Sequence, residues 1–262
     1  MSPNSADLLF AFSLADLADA STLRWWSADG VASTSKVDGS PVTRADIETE
    51  QVLLDVVLVA QQGDGFLGEE VGAYPSRTGR RWIVDGIDGT SGYAAGLTTW
   101  GTMIALEQAD EIILGVISSP AQNRRWWAQR GSGAFVGACH GQSMGQSIHV
   151  SNTQHVTSQR ILTLPAFEKL ETTSQLSVQR ALGTAPKASG WQWSQQMRVA
   201  EGLVDACIWV CGGTWDHAAP SVIVEEAGGR FSDLNGGRQL DSRRALYSNG
   251  ILHEGLLAGL SA

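Results

Sequence analysis

Apolar side chains recur at helical spacing through the first stretch of the chain, where Leu8, Leu9, Phe12, Ala15, Leu17 and Ala18 fall between Asp7 and about Trp26. With Ser5 or Asp7 placed to cap its start, this stretch predicts an amphipathic first helix. A turn-like VDGSPV follows. Thr43 then stands where it caps a second helix running through IETEQVLLDVVLVAQQ, with Asp46 in its first turn. The period changes after that. RRWIVD, GTMIALEQ, EIILGVISS and RRWWAQ are apolar runs between short turns, predicting an antiparallel-rich sheet. From about Ser151, strand-like ILTLP, DACIWVC and GRFSD alternate with helix-like stretches over Trp191–Glu201 and His217–Ala227. The expected organisation is an α/β fold class, with an α+β half over residues 1–150 and an α/β half over 151–262.

A chain of 262 residues can bury a large core, as one domain or two packed halves. Its 27 acidic and 18 basic residues leave a net charge of −9, which argues against a nucleic-acid polymer as partner, because phosphate backbones are held by clustered Lys and Arg. The longer apolar runs are broken by Asp, Glu or Gly short of a membrane span, and MSPNSADLL has no basic stretch ahead of an apolar one. The expectation is a soluble, cytoplasmic protein without a membrane partner. Cys139, Cys207 and Cys211 fit a reducing compartment, and no Cys or His cluster completes a zinc set around the last two.

Candidate chemistry begins at WIVDGIDGT, Trp82 to Thr90, where Asp85 and Asp88 stand three apart at the end of an apolar run. Two ionised carboxylates held close repel unless a cation lies between them. Alone, the motif reads equally well as an acidic turn. Two more acidic clusters tip the balance, Glu69-Glu70 in GEE and Asp216 in WDHAAP. Carboxylates are hard oxygen ligands of the kind Mg²⁺ selects.

With GEE at 68–70, DGIDGT at 85–90 and WDHAAPSVIVEEAGG at 215–229, the chain resembles the inositol monophosphatase-like phosphatases, which are magnesium-dependent and typically lithium-sensitive. The resemblance runs from Asp7 to about Leu257. SPVTRAD (40–46), RRWWAQRGSGAFVG (124–137) and VAEGLVD (199–205) look most like the histidinol-phosphate phosphatase branch. It implies a layered αβαβα sandwich, a homodimer, and two or three Mg²⁺ ions serving hydrolysis of a small phosphate ester by metal-activated water. It further implies that Glu69, Asp85 and the Ile87 carbonyl hold one ion, that Asp85, Asp88 and Asp216 hold a second, and that Glu69 and waters near Asp46 support a weaker third. Thr90 would orient the attacking water together with Asp46, while Asp88, Gly89 and Thr90 would meet the phosphate. Glu70 would brace its loop. Lys36 and His217 lie near these motifs, but a lone lysine is more often a solvated charge and carboxylate-rich sites seldom need a histidine.

Three departures bear on the substrate. Gly86 stands where the family usually has proline, which should cost about 0.4–1 kcal/mol of preorganisation if the backbone otherwise fits. Ser91-Gly92-Tyr93 replaces a K-N-F, removing a cation. Trp209 stands seven residues before Asp216, where related phosphatases carry a glutamate for the substrate's hydroxyl or amine, and an indole has only a donor to offer. Trp191, Trp193 and Trp209 read equally as core, since large aromatics usually are, yet Trp191 and Trp193, two apart, cannot share one buried helical face, so at least one should be exposed or line a pocket. Stacking on Trp191, Trp193 and Trp209, at about 1–3 kcal/mol per base, points to a ring-bearing substrate such as a nucleoside 5'-monophosphate. Histidinol phosphate and inositol phosphate are the alternative substrates. An inactive metal-binding regulatory homologue is the non-enzymatic alternative.

Overall fold

The computed structural model describes residues 5–139, 145–186 and 193–261. Helix α1 (Ala6–Trp25) starts at Ser5, whose hydroxyl accepts the Leu8 amide at 3.2 Å. Its buried stripe is Leu8, Ala11, Leu14, Ala15 and Ala18. Leu9 and Leu17 remain 55% and 40% exposed, so the apolar face is rotated from the expected one toward the small alanines that let the helix approach its neighbours. A short hairpin, β1 (Ser33–Ser35) and β2 (Pro41–Thr43), leads into α2 (Arg44–Ala60). Thr43 and Asp46 form the capping box of α2, in which Asp46 Oδ2 accepts from the Thr43 amide at 2.9 Å.

Eight strands build the larger sheet: β3 (Gly65–Gly68), β4 (Gly72–Tyr74), β5 (Arg80–Asp88), β6 (Gly101–Gln108), β7 (Glu111–Ser119), β8 (Arg124–Gln129), β9 (Ala134–Gly137) and β10 (Gln146–Ile148). Their order is β10-β9-β8-β7-β6-β5-β3-β4, and every neighbouring pair is antiparallel except β3 with β5. Helix α3 (Thr90–Ala94) follows β5 directly. A four-stranded sheet comprises β11 (Ile161–Leu164), β12 (Ala206–Trp209), β13 (Arg230–Asp233) and β14 (Ala245–Ser248), in the order β11-β12-β14-β13. Helices α4 (Thr172–Leu182) and α7 (His253–Ser261) pack together on its outer side, while α5 (Gln195–Ala200) and α6 (Thr214–Glu226) lie between the two sheets.

The result is the layered αβαβα sandwich, with α1 and α2 covering the outer face of the larger sheet. Helix α6 is the middle of the sandwich. Nine consecutive residues, Asp216 to Val224, are buried, because one side meets β5–β8 and the other meets β13 and β14. The fit is close at Gly115 of β7, where a Cβ would stand 2.7 Å from the Ala219 carbonyl oxygen. No helix among the described residues is long and apolar enough to cross a membrane.

Candidate active site

Residues three apart on a regular strand face opposite sides of a sheet. Asp85 and Asp88 escape that parity because β5 bulges between them: Asp85 pairs with Met103 and Asp88 with Gly101, so three steps on one strand oppose two on the other. The extra residue turns both carboxylates toward the start of α6, where Asp216 sits in the first turn. Carboxylate oxygens of Asp85, Asp88 and Asp216 all lie within 4.8 Å of one another. The Asp216 oxygen is aimed by the Gly213 amide at 2.6 Å, and that of Asp85 by the Ile87 amide at 3.0 Å.

This arrangement is electrostatically costly without a counter-ion. Burial, then the charges of Glu69, Asp88 and Asp216, push Asp85 well above the usual carboxylate range. Burial and Asp216 do the same to Asp88, opposed by a hydrogen bond from Trp193. Asp216 rises to about 6 through burial, against the pull of the Gly213 amide. A largely buried oxygen-only donor set with mutually repelling charges fits a hard divalent cation.

Glu69 Oε1 takes Lys36 Nζ at 2.6 Å, and the same ammonium meets Glu70. Burial works against the Lys36 charge, yet these two carboxylates override it and raise its pKa. Lys36 is thus an internal partner of the GEE segment rather than a solvated charge. The Thr90 hydroxyl lies 2.9 Å from Asp46 Oδ1 and 3.0 Å from the Ile87 carbonyl oxygen, so Thr90, Asp46 and Ile87 form one contiguous group. Burial raises the Asp46 pKa, against hydrogen bonds from Thr43 and Thr90. Gly89, at φ 84°, turns the chain from β5 into α3, and a Cβ there would stand 2.9 Å from the Thr99 carbonyl oxygen. Of the segment replacing K-N-F, Ser91 is exposed while Tyr93 is buried and donates to the Thr22 carbonyl at 2.7 Å.

The tryptophans fall differently from a stacking platform. Trp209 is 3% exposed in the core between the sheets, edge-on to His217. Trp193 is 7% exposed and donates its indole N–H to Asp88. Trp191 lies outside the described residues. His217 bonds Tyr247 through Nδ1 at 2.8 Å, and burial lowers its pKa to about 4, so it is a neutral core histidine at physiological pH.

Sequence reasoning missed Glu50. Its Oε1 accepts the Glu69 amide (3.1 Å) and the Gly86 amide (3.2 Å), while Oε2 accepts those of Glu70 (2.8 Å) and Val71 (3.1 Å). One buried carboxylate thereby ties the GEE segment to the bulge of β5. Burial lifts its pKa to about 7, with the amides pulling the other way. Glu50 also accounts for Gly86. A Cβ at 86 would stand 3.0 Å from Glu50 Cγ and 3.1 Å from the Asp46 carbonyl oxygen, and proline would remove the amide that Glu50 accepts. The condition for proline to help is therefore not met. Gly86→Pro is expected to lower stability by about 1–3 kcal/mol through the lost hydrogen bond, read as a fall in the denaturant midpoint; an unchanged or higher midpoint would contradict this account.

Comparison with known proteins agrees with the geometry. The model of the inositol monophosphatase family matches residues 10–262. A Streptomyces griseus protein named glucose-1-phosphate thymidylyltransferase is 38% identical, covering 99% of this chain and 98% of its own. The histidinol-phosphatase of Mycobacterium tuberculosis is 35% identical over 98% of each chain. Among solved structures, the extragenic suppressor protein suhB of Bartonella henselae superposes with a TM-score of 0.84 at 25% identity, covering 98% of each chain. Layered fold, acidic cluster and phosphatase relatives together define a phosphoric monoester hydrolase. The chain belongs to the inositol monophosphatase family.

Proposed function

We propose that the protein is a Mg²⁺-dependent phosphomonoesterase acting on a ring-bearing small alcohol phosphate that lacks a cationic amine. The observation that carries the reading is the convergence of Asp85, Asp88 and Asp216 within 4.8 Å beside Thr90 and Asp46. Asp85, Asp88 and Asp216, with Glu69 and the Ile87 carbonyl, are the proposed ligands. A divalent ion held there would acidify water and neutralise charge on phosphoryl oxygens. The protein's own groups do the rest. Thr90 Oγ1 already donates toward Asp46 Oδ1, so its free lone pair is available to a water's proton, and Asp46, with its raised pKa, is suited to receive a proton passed on through Thr90. The Gly89–Thr90 turn supplies the proposed phosphate cradle, Asp88 meeting phosphate only through a shared cation.

Burial of Trp193 and Trp209 withdraws two of the three stacking surfaces that favoured a nucleotide, so a nucleoside 5'-monophosphate and a sugar or polyol phosphate stand together within the proposed class. Trp209 leaves no carboxylate for an amine at its position, which is why histidinol phosphate is the second reading, kept because of the 35% identical relative of that name. Homodimer assembly and a reducing, cytoplasmic setting belong to the same proposal, the latter supported by three free cysteines.

The test is phosphate release from AMP, a hexose 1-phosphate, inositol 1-phosphate and histidinol phosphate, with EDTA or Mg²⁺. Pyrophosphate release from dTTP with glucose 1-phosphate is measured alongside, since one relative's name describes that transfer. Mg²⁺-dependent phosphate release from an amine-free ester is the expected result. Preference for histidinol phosphate overturns the substrate reading. Binding of Mg²⁺ without turnover of any ester would make the chain an inactive homologue.

A further inference from the structure

We infer that Trp193 is a positioning residue for Asp88, holding that carboxylate for a divalent ion rather than offering its ring to a substrate. Three features place it there. Its indole N–H donates to Oδ2 of Asp88, the carboxylate that converges with Asp85 and Asp216. The pyrrole edge of the ring covers Gly89, where a Cβ would come within 2.9 Å of Trp193 Cδ1. The benzene edge covers Gly101, the strand partner of Asp88 across the bulge, and any Cβ at Gly101 would collide with it. Trp126 packs behind at 6.3 Å between ring centroids. The indole is therefore wedged between two glycines, with its single polar atom spent on Asp88. At 7% exposure the ring offers little surface for stacking.

A donor behind a ligating carboxylate fixes which oxygen is presented and in what orientation, and removal of such outer partners typically weakens metal binding roughly 10–100-fold. The inference rests on the proposed metal site, so the experiment separates the two. Mg²⁺ and Mn²⁺ binding are measured by calorimetry for the native chain, Trp193→Phe and Trp126→Phe, with thermal melting of each in EDTA. Trp193→Phe keeps an aromatic wedge but deletes the N–H. Trp126→Phe perturbs the same packing without touching Asp88.

The expected result is a loss of affinity of about 10-fold or more in Trp193→Phe alone. Equal affinity in Trp193→Phe and the native chain overturns the positioning role while leaving the proposed function intact, and equal losses in both variants overturn it in favour of generic packing. A native chain that binds neither ion overturns both. Should Trp193→Phe fail to fold, indole N–H resonances of the native protein decide: one shifted downfield by a carboxylate acceptor and moving with Mg²⁺ supports the role, and no responsive indole overturns it.

Discussion

Asp88→Asn is expected to cut metal-dependent turnover steeply and, at the same time, to raise the melting temperature of the metal-free protein. Both effects come from one arrangement, in which three carboxylates, two buried and one half-buried, lie within 4.8 Å and repel one another until a cation arrives. The amide is isosteric, retains an oxygen for the Trp193 donor, and removes one charge. The cost appears in turnover, where loss of several kcal/mol of charge stabilisation corresponds to roughly 10²–10³-fold.

The pH dependence supplies the sign. Asp216 titrates at about 6 in the metal-free fold, above its ordinary value of 3.8, so the folded state holds more protons than the unfolded one across that window. Stability from this group is full below the unfolded value and is lost as pH rises through about 6. A rise from 3.8 to about 6 is worth about 3 kcal/mol. Melting in EDTA should therefore fall between about pH 4 and 6.5 in the native chain, fall less in Asp88→Asn, which removes a second carboxylate raised by burial and by Asp216, and be rescued by Mg²⁺ only in the native chain. Identical EDTA profiles for the two proteins would contradict the electrostatic account.

Glu50→Gln should be nearly as damaging, although Glu50 touches neither the proposed ion nor the substrate. Each oxygen of Glu50 takes two backbone amides, and glutamine can offer an acceptor at only one of those ends. The other end would face two N–H groups, at least one of them part-buried, with an NH₂. At about 1–3 kcal/mol for each orphaned donor, the loss is of order 4 kcal/mol, or roughly 10 °C in melting temperature for a domain of this size. Mg²⁺ affinity should fall as well, since the segment carrying Glu69 loses its tie to the bulge. Thermal melting and Mg²⁺ titration check both halves; a melting temperature within about 2 °C of the native chain would remove Glu50 from its structural role.

Legibility in the sequence followed periodicity. Helices α1 and α2, with their caps at Ser5 and Thr43, and strands β5 to β8 were readable because local pattern and tertiary burial agree there. The outer helices α4 and α7 and strand β14 went unread; α4 buries only Val178, and its place is set by contact with α7 rather than by its own pattern. Within the site, the acidic motifs identify which residues matter, but not how they meet. Plain strand alternation would separate Asp85 from Asp88; only the bulge, hinted at by a glycine inside the strand, reunites them. Glu50 was hidden because IETEQ reads as a solvated helical surface. The tryptophans misled for the opposite reason: an indole beside a phosphatase motif invites a substrate role, while Trp209 is plain core and Trp193 serves a carboxylate.

The place of α6 has a bearing on ion choice. A helix pressed by sheets on two sides, with a backbone-to-backbone approach at Gly115, cannot slide along its axis to suit a guest. Asp216 rides at the tip of that immobile rod. A small ion demanding near-octahedral ligands at short range and a larger one tolerant of seven or eight oxygens ask for different separations between Asp216 and the β5 carboxylates. On the proposed metal reading, the stiffness of the rod would turn ionic radius into a filter, set by how closely two sheets squeeze one helix.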